Sequence, residues 1–209
     1  MFRLMSAVCG LTIAVSALSA GTPPQRLRAF AKAHAQNATA DPLMVGAPLG
    51  NPPPKTIAQL TREAEVVLRG RLFRLQTYID RDGDLILTDY AIRQEQLLAG
   101  RTPAAVARAQ DFSKPPILTA VGGELLIEGV RVLMSPSDER AIVDGGEYVL
   151  FLVSSRSGGD RYEVYNAGIF QVEEGRVSPL HAQSKMLFKD AFNASLETVL
   201  LRVERSKLF

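Results

Sequence analysis

Glu65-Val66-Val67-Leu68-Arg69-Gly70-Arg71-Leu72-Phe73-Arg74-Leu75, then Asp80-Arg81-Asp82-Gly83-Asp84, then Leu85-Ile86-Leu87-Thr88-Asp89-Tyr90-Ala91-Ile92, is the stretch that decides the fold. The β-branched content of the first run favours a strand, with Gly70 as a bulge or a point of close backbone approach. Asp-Gly tolerates the positive φ of a tight reversal, so Asp80–Asp84 reads as a turn. Leu85 to Leu97 returns as a longer strand, with Ile86, Thr88, Tyr90 and Ile92 on one face.

The pattern repeats downstream. Ile117 to Val121 meets Gly122-Gly123, and Glu124 to Met134 continues the extended run. Asp144-Gly145-Gly146-Glu147 leads into Tyr148-Val149-Leu150-Phe151-Leu152-Val153, a continuous apolar run expected to be buried on both faces. Ser154 to Asp160 reads as a polar loop, followed by strands at Tyr162–Tyr165 and Ile169–Val172 and a turn at Glu173-Glu174-Gly175-Arg176. Short strands at this spacing predict a mainly β domain, a small barrel or sandwich over 56–180.

Helices are expected at both flanks. Thr56 can cap a short helix whose Ile57, Leu60 and Ala64 share a face. At the C-terminus, within 181–209, Leu196, Val199, Leu200 and Val203 recur at helical spacing. Asn193 or Ser195 can cap that helix, and its apolar stripe is expected to pack on the barrel.

Before residue 56 the character changes. Arg3, the apolar run Leu4 to Ala17 and the small residues Ala17-Leu18-Ser19-Ala20 read as a cleavable signal peptide over 1–20. The expected localisation is secreted or periplasmic, with no membrane span in the mature chain. Residues 21–55 hold Pro23, Pro24, Pro42, Pro48, Pro52, Pro53 and Pro54, and read as a disordered tether. A short helix from Arg26 to Ala35 is possible there, either transient or a docking peptide. Cleavage would remove Cys9, the only cysteine in the sequence. Stability must then come from burial alone, without a disulfide.

Ala64 to Arg71, Tyr90-Ala91-Ile92-Arg93 ending near Leu98-Ala99-Gly100, and Gly146 to Leu152 follow one another in an order that resembles netrin-like domains. Those include the tissue inhibitors of metalloproteinases and uncharacterised exported bacterial proteins of the same plan. The resemblance runs from Thr56 to Pro179 and implies an OB-type five-stranded barrel with flanking helices. The inhibitors depend on an N-terminal cysteine and disulfides, which the mature chain lacks, so that inhibitory chemistry is not implied here.

Chemistry is sparse. His34 and His181 have no second histidine at metal-binding spacing, and neither a His-Glu-x-x-His nor a Gly-x-Ser-x-Gly motif occurs. No catalytic residue is therefore assigned. Asp80, Asp82 and Asp84 place three carboxylates in one turn and are candidate calcium ligands. The alternative is a solvated turn that uses aspartate for its backbone tolerance. Arg69, Arg71 and Arg74 near Phe73 and Tyr78 raise the possibility of a single-stranded nucleic-acid groove. The near balance of 24 Lys+Arg against 22 Asp+Glu opposes it. The reading that remains is an exported non-catalytic binding module for an extracellular or periplasmic protein or ligand. Its contact surface is expected at the loops Asp80–Asp84 and Ser154–Asp160. A calcium-binding envelope protein, or a secreted enzyme with an unrecognised site, are the alternatives.

Overall fold

A computed structural model describes residues 26–36, 42–47, 56–100, 115–136, 140–155, 161–180 and 194–206. The stretch 1–20, expected to be a signal peptide, lies outside the described residues. The barrel strands are β2 (Val66–Ile79), β3 (Ile86–Gly100), β4 (Ile117–Val121), β7 (Glu147–Ser154) and β8 (Arg161–Glu173). They are hydrogen-bonded in the order β8-β4-β3-β2-β7, and β7 pairs back onto β8, so five strands close into a ring. The closing seam between β4 and β8 is parallel, through Ile117↔Arg161 and Leu118↔Tyr162; the other four are antiparallel. This is the OB-like barrel expected from the sequence.

The first hairpin is long and irregular enough to curl. Its register slips at Val67/Leu68, Arg69/Gly70 and Arg74/Gln76, and each slip adds local twist. Gly70 sits at one of them: a Cβ there would lie 2.6 Å from the Arg93 carbonyl oxygen, so only glycine lets the strands approach. The turn also forms as expected, with Gly83 at φ 76 and Asp80 N–H donating to the Leu85 carbonyl at 2.9 Å.

Two apolar cores share one strand. Inside the ring lie Leu68, Leu72, Tyr90, Ile92, Leu118, Tyr148, Leu150, Leu152 and Tyr162. Outside it, Val149 and Phe151 pack with Phe170 under two helices, α2 (Ile57–Glu63) and the C-terminal α3 (Leu196–Ser206). The alternation of β7 sends even residues inward and odd residues outward, which is why its run carries no polar position. Thr56 caps α2 by accepting the Gln59 N–H at 3.1 Å, and Ser195 accepts the Thr198 N–H at 3.2 Å at the start of α3. Val199 and Val203 of α3 are fully buried against the barrel, as its stripe implied. The expected cap at Asn193 lies outside the described residues. Two short strands, β9 (Arg176–Pro179) and β10 (Ala194–Ser195), extend the sheet beyond β8.

Two expectations are corrected. Residues 21–55 are not a disordered tether throughout: α1 (Arg26–Gln36) and β1 (Leu43–Ala47) belong to the fold. Nor does the run Glu124 to Met134 continue the barrel. It folds back as β5 (Gly123–Ile127) and β6 (Val130–Pro136), joined by Glu128-Gly129, both at positive φ. β1, β6 and β5 make a separate three-stranded sheet. The physical reason is a third core. Leu27 and Ala31 of α1 are buried against Ile86, Ile127, Val132 and Met134, so the helix gains partners that its own composition does not supply.

That docking can be tested. Leu27→Asp places a charge in this core and is expected to release α1. Trypsin should then cut after Arg28 and Lys32 at least about tenfold faster than in the wild type, while the barrel stays resistant. Equal cleavage in both proteins would show that α1 is not held.

Candidate functional site: the outer wall of the barrel

The wall formed by β2 and β3 carries three groups of side chains in succession along β2. Tyr90 and Ile92 point inward, so Asp89 on the same strand points outward. On β2, Leu72 points inward and Arg69, Arg71 and Phe73 point outward. The slip between Arg74 and Gln76 inserts Leu75 and reverses the alternation, so that Gln76 and Tyr78 also face outward.

The first group is an ion-pair lattice. Arg69 Nε lies 2.5 Å from Glu147 Oε1 and 3.7 Å from Glu95 Oε2. Arg71 Nε lies 3.0 Å from Glu95 Oε1, and its Nη2 lies 3.7 Å from Glu147 Oε2. Glu95 is the extra residue at the β3 slip, between Gln96 opposite Arg69 and Gln94 opposite Gly70. Each guanidinium thus meets two carboxylates, which cancels the cationic groove considered for nucleic acid. The third arginine of that set, Arg74, faces the other way, and its charge acts on the inward Tyr90 phenol.

The second group is apolar. Phe73 and Leu75 are 38% and 54% exposed, beside the lattice.

The third group centres on Asp89, whose side chain is 1% exposed. Arg161 Nη1 donates to both of its oxygens at 2.9 Å. Thr119 Oγ1 donates to Oδ1 at 2.8 Å, Gln76 Nε2 to Oδ2 at 2.9 Å, and Tyr78 OH to Oδ1 at 3.2 Å. Burial pushes the carboxyl up, but the hydrogen bonds from Gln76, Thr119 and Arg161, with the Arg161 charge, outweigh it and hold Asp89 below the ordinary aspartate value. The Tyr78 phenol is raised, first by burial and then by the Asp89 charge. Asp89 stands on β3, and these partners come from β2, β4 and β8. The cluster therefore spans three adjacent seams, including the parallel one that closes the ring. Every acceptor position of the carboxylate faces a donor. Such an arrangement holds strands together and offers no poised base.

The residues expected from sequence to bind are placed elsewhere. Asp80 Oδ1 accepts the backbone N–H groups of Asp84 and Leu85 at 2.8 and 2.9 Å. Asp84 lies 3.8 Å from Arg26 Nε, and Asp82 is exposed. The three aspartates do not converge as a calcium site: among the described residues no three His, Cys, Asp or Glu side chains are grouped to hold a metal. The turn is instead occupied by α1, since the Leu27 N–H donates to the Gly83 carbonyl at 3.2 Å.

Of the two loops expected to share a contact face, the second is described only at Ser154 and Ser155. Ser154 is held at the beginning of β2, its N–H and hydroxyl both donating to Glu65 Oε2 at 3.0 and 2.5 Å. Asp80 follows the end of β2, 14 strand residues later. At about 3.3 Å per residue, roughly 45 Å of strand contour runs between Glu65, the partner of Ser154, and Asp80. Part of the second loop, 156–160, lies outside the described residues.

The Asp89 cluster had no short-range signature, because its partners stand at 76, 78, 119 and 161. One sequence signal was available: a carboxylate flanked by Thr88 and Tyr90 in the mainly apolar first half of the strand, Ile86–Ile92. Among the described residues no helix is long and apolar enough to cross a membrane. No known protein family matches the chain, and no curated protein matches it.

Proposed function

We propose that this chain is an exported, non-catalytic binding module that grips a protein partner through the outer wall of β2 and β3. The observation that carries the reading is the exposed pair Phe73 and Leu75, set between two groups of charged side chains that are already paired. An apolar centre within a satisfied polar rim is the composition of a protein-binding patch. The resemblance to netrin-like domains supports the same use of the barrel, without cysteine-based inhibition. Arg3 and the apolar run after it support export, and N-terminal sequencing of the mature protein should begin near Gly21.

The test is comparative capture from the native envelope with the wild type and with Phe73→Ser/Leu75→Ser as bait. A partner held by the wild type should be lost by the double variant, with a drop in affinity of at least about tenfold. A partner retained equally by both would move the site off this wall. Turnover of a substrate by the purified protein would overturn the non-catalytic reading.

A further inference from the structure

Beyond the reach of β7, β2 has a bare edge. β7 pairs with β2 only over Val66–Arg71. Leu72 then bonds to the Gly145-Gly146 turn, and the Asp144 carboxylate takes the Arg74 N–H at 2.7 Å. From Leu75 to Ile79 no strand covers this side among the described residues. The run stops at the Asp80–Asp84 turn, where the Leu27 N–H of α1 meets the Gly83 carbonyl. We propose that the Leu75–Ile79 edge takes one extended segment of a protein partner, added to β2 alone as an antiparallel strand.

Which backbone groups are free follows from the strand behind. Ile79 stands opposite Ile86, and Thr77 opposite Thr88. Ile86 donates its N–H to Met134 Sδ at 3.2 Å, and its carbonyl accepts the Gly122 N–H at 2.7 Å. Neither group is left for Ile79. One residue on, the Asp80 N–H donates to the Leu85 carbonyl, as that phase requires. By alternation the N–H and C=O groups of Tyr78 face β3, and those of Thr77 and Ile79 face away from it. An antiparallel partner exchanges both bonds with each of these two residues.

The surroundings select the occupant. Free edges are ordinarily guarded by charges or proline, and Leu75-Gln76-Thr77-Tyr78-Ile79 contains neither. The small sheet lies as a second layer over the same face. A Cβ on Gly123 would sit 3.1 Å from the Thr77 methyl, and Ile79 shares a core with Leu125. Its strands therefore take no part in the pairing. What the layer adds is a mouth beside the edge, an open cleft of about 460 Å³ lined by Ile79, Leu125 and Leu126. Partner residues opposite Thr77 and Ile79 point to this side, so apolar side chains suit them. Arg28 and Glu128 line the cleft with opposite charges, so no net charge is required of the segment. The edge is about 17 Å long, far short of the roughly 800 Å² per partner that joins two folded proteins. That area disfavours a second copy. An extended segment draws instead on backbone bonds and on pockets for alternate side chains. The edge adjoins the Phe73–Leu75 wall but does not depend on it.

The probe is the acetylated, amidated peptide Lys-Thr-Val-Thr-Val-Thr-Lys at millimolar concentration, titrated into the full mature chain and read by amide hydrogen exchange in NMR. In the free protein the amides of Thr77 and Ile79 should exchange about 100-fold faster than those of Tyr78 and Asp80. Near saturation the peptide should slow the first two by at least about tenfold. N-methylation of both valines, whose N–H groups face β2, should weaken binding at least about tenfold. N-methylation of the central threonine, whose N–H faces away, should not. Phe73→Ser should leave the peptide affinity unchanged, so the edge and the wall fail separately. The edge proposal is refuted if the two amides are already protected in the free protein, or if the peptide leaves them unchanged. It is refuted equally if the two N-methylated peptides bind alike. Protection that rises with protein concentration alone would give the edge to a second copy and overturn the peptide assignment.

Discussion

Phe151→Ala is expected to lower the unfolding free energy by about 3–5 kcal/mol. Phe151 is fully buried, and its ring meets Phe170 edge-on with centroids 5.7 Å apart. It fills the space between β7 and the two helices that carry Ile57, Leu60, Val199 and Val203. Truncation removes the apolar transfer term, opens a cavity the rigid sheet cannot close, and deletes an aromatic contact. In urea the midpoint should fall by roughly 2 M with little change in slope. Phe151→Leu, closer in volume, should cost about 1–2 kcal/mol. A loss below about 1 kcal/mol for the alanine variant would mean that this core is not packed as described.

The second large effect is expected at the Asp89 cluster. Arg161→Ala leaves a buried carboxylate short of its charged donor. The expected cost is about 2–4 kcal/mol, toward the lower part of the range for broken buried pairs because the guanidinium is partly exposed. Asp89→Asn should be milder, and it carries the informative pH dependence. The folded-state value of Asp89 is depressed, so its contribution to stability is fully present above the unfolded aspartate value and is lost as pH falls through the folded one. The gap between wild type and Asp89→Asn should therefore be widest near neutrality. It should narrow below about pH 4, where the unfolded chain begins to take up the proton. Urea melts at neutral and acid pH measure it, and parallel pH profiles for the two proteins would rule out the proposed linkage.

What could be read from sequence was what the chain encodes locally. Tyr148–Val153 announced a strand buried on both faces because it contains no polar position. Thr56 and Ser195 announced helix starts because capping is a contact over three residues. The docking of α1 was invisible for the opposite reason. Leu27 and Ala31 make a sparse apolar face among prolines, and their partners Val132 and Met134 arrive about a hundred residues later. The turn at Asp80 was legible as a turn, but its aspartates could not be told apart: one braces the backbone, one faces Arg26, one points to water. The Asp89 cluster takes one or two residues from each of four strands, and no window along the chain contains it.

The way the ring closes bears on how the protein reaches this state. β2 meets β3 across one short turn, but its other edge waits for β7: Glu65 and Ser154, bonded to each other, are 89 positions apart. The Tyr165 hydroxyl reaches Glu63 across 102 positions. Such high contact order places folding in the millisecond-to-second range rather than microseconds. Until β8 arrives, β4 and β7 each present an unpaired edge, and the outer aromatic core has neither Phe170 nor α3. A nascent or refolding chain thus has no stable intermediate shelter for its most apolar strand, and β7 is the segment most exposed to capture by a chaperone or by another chain.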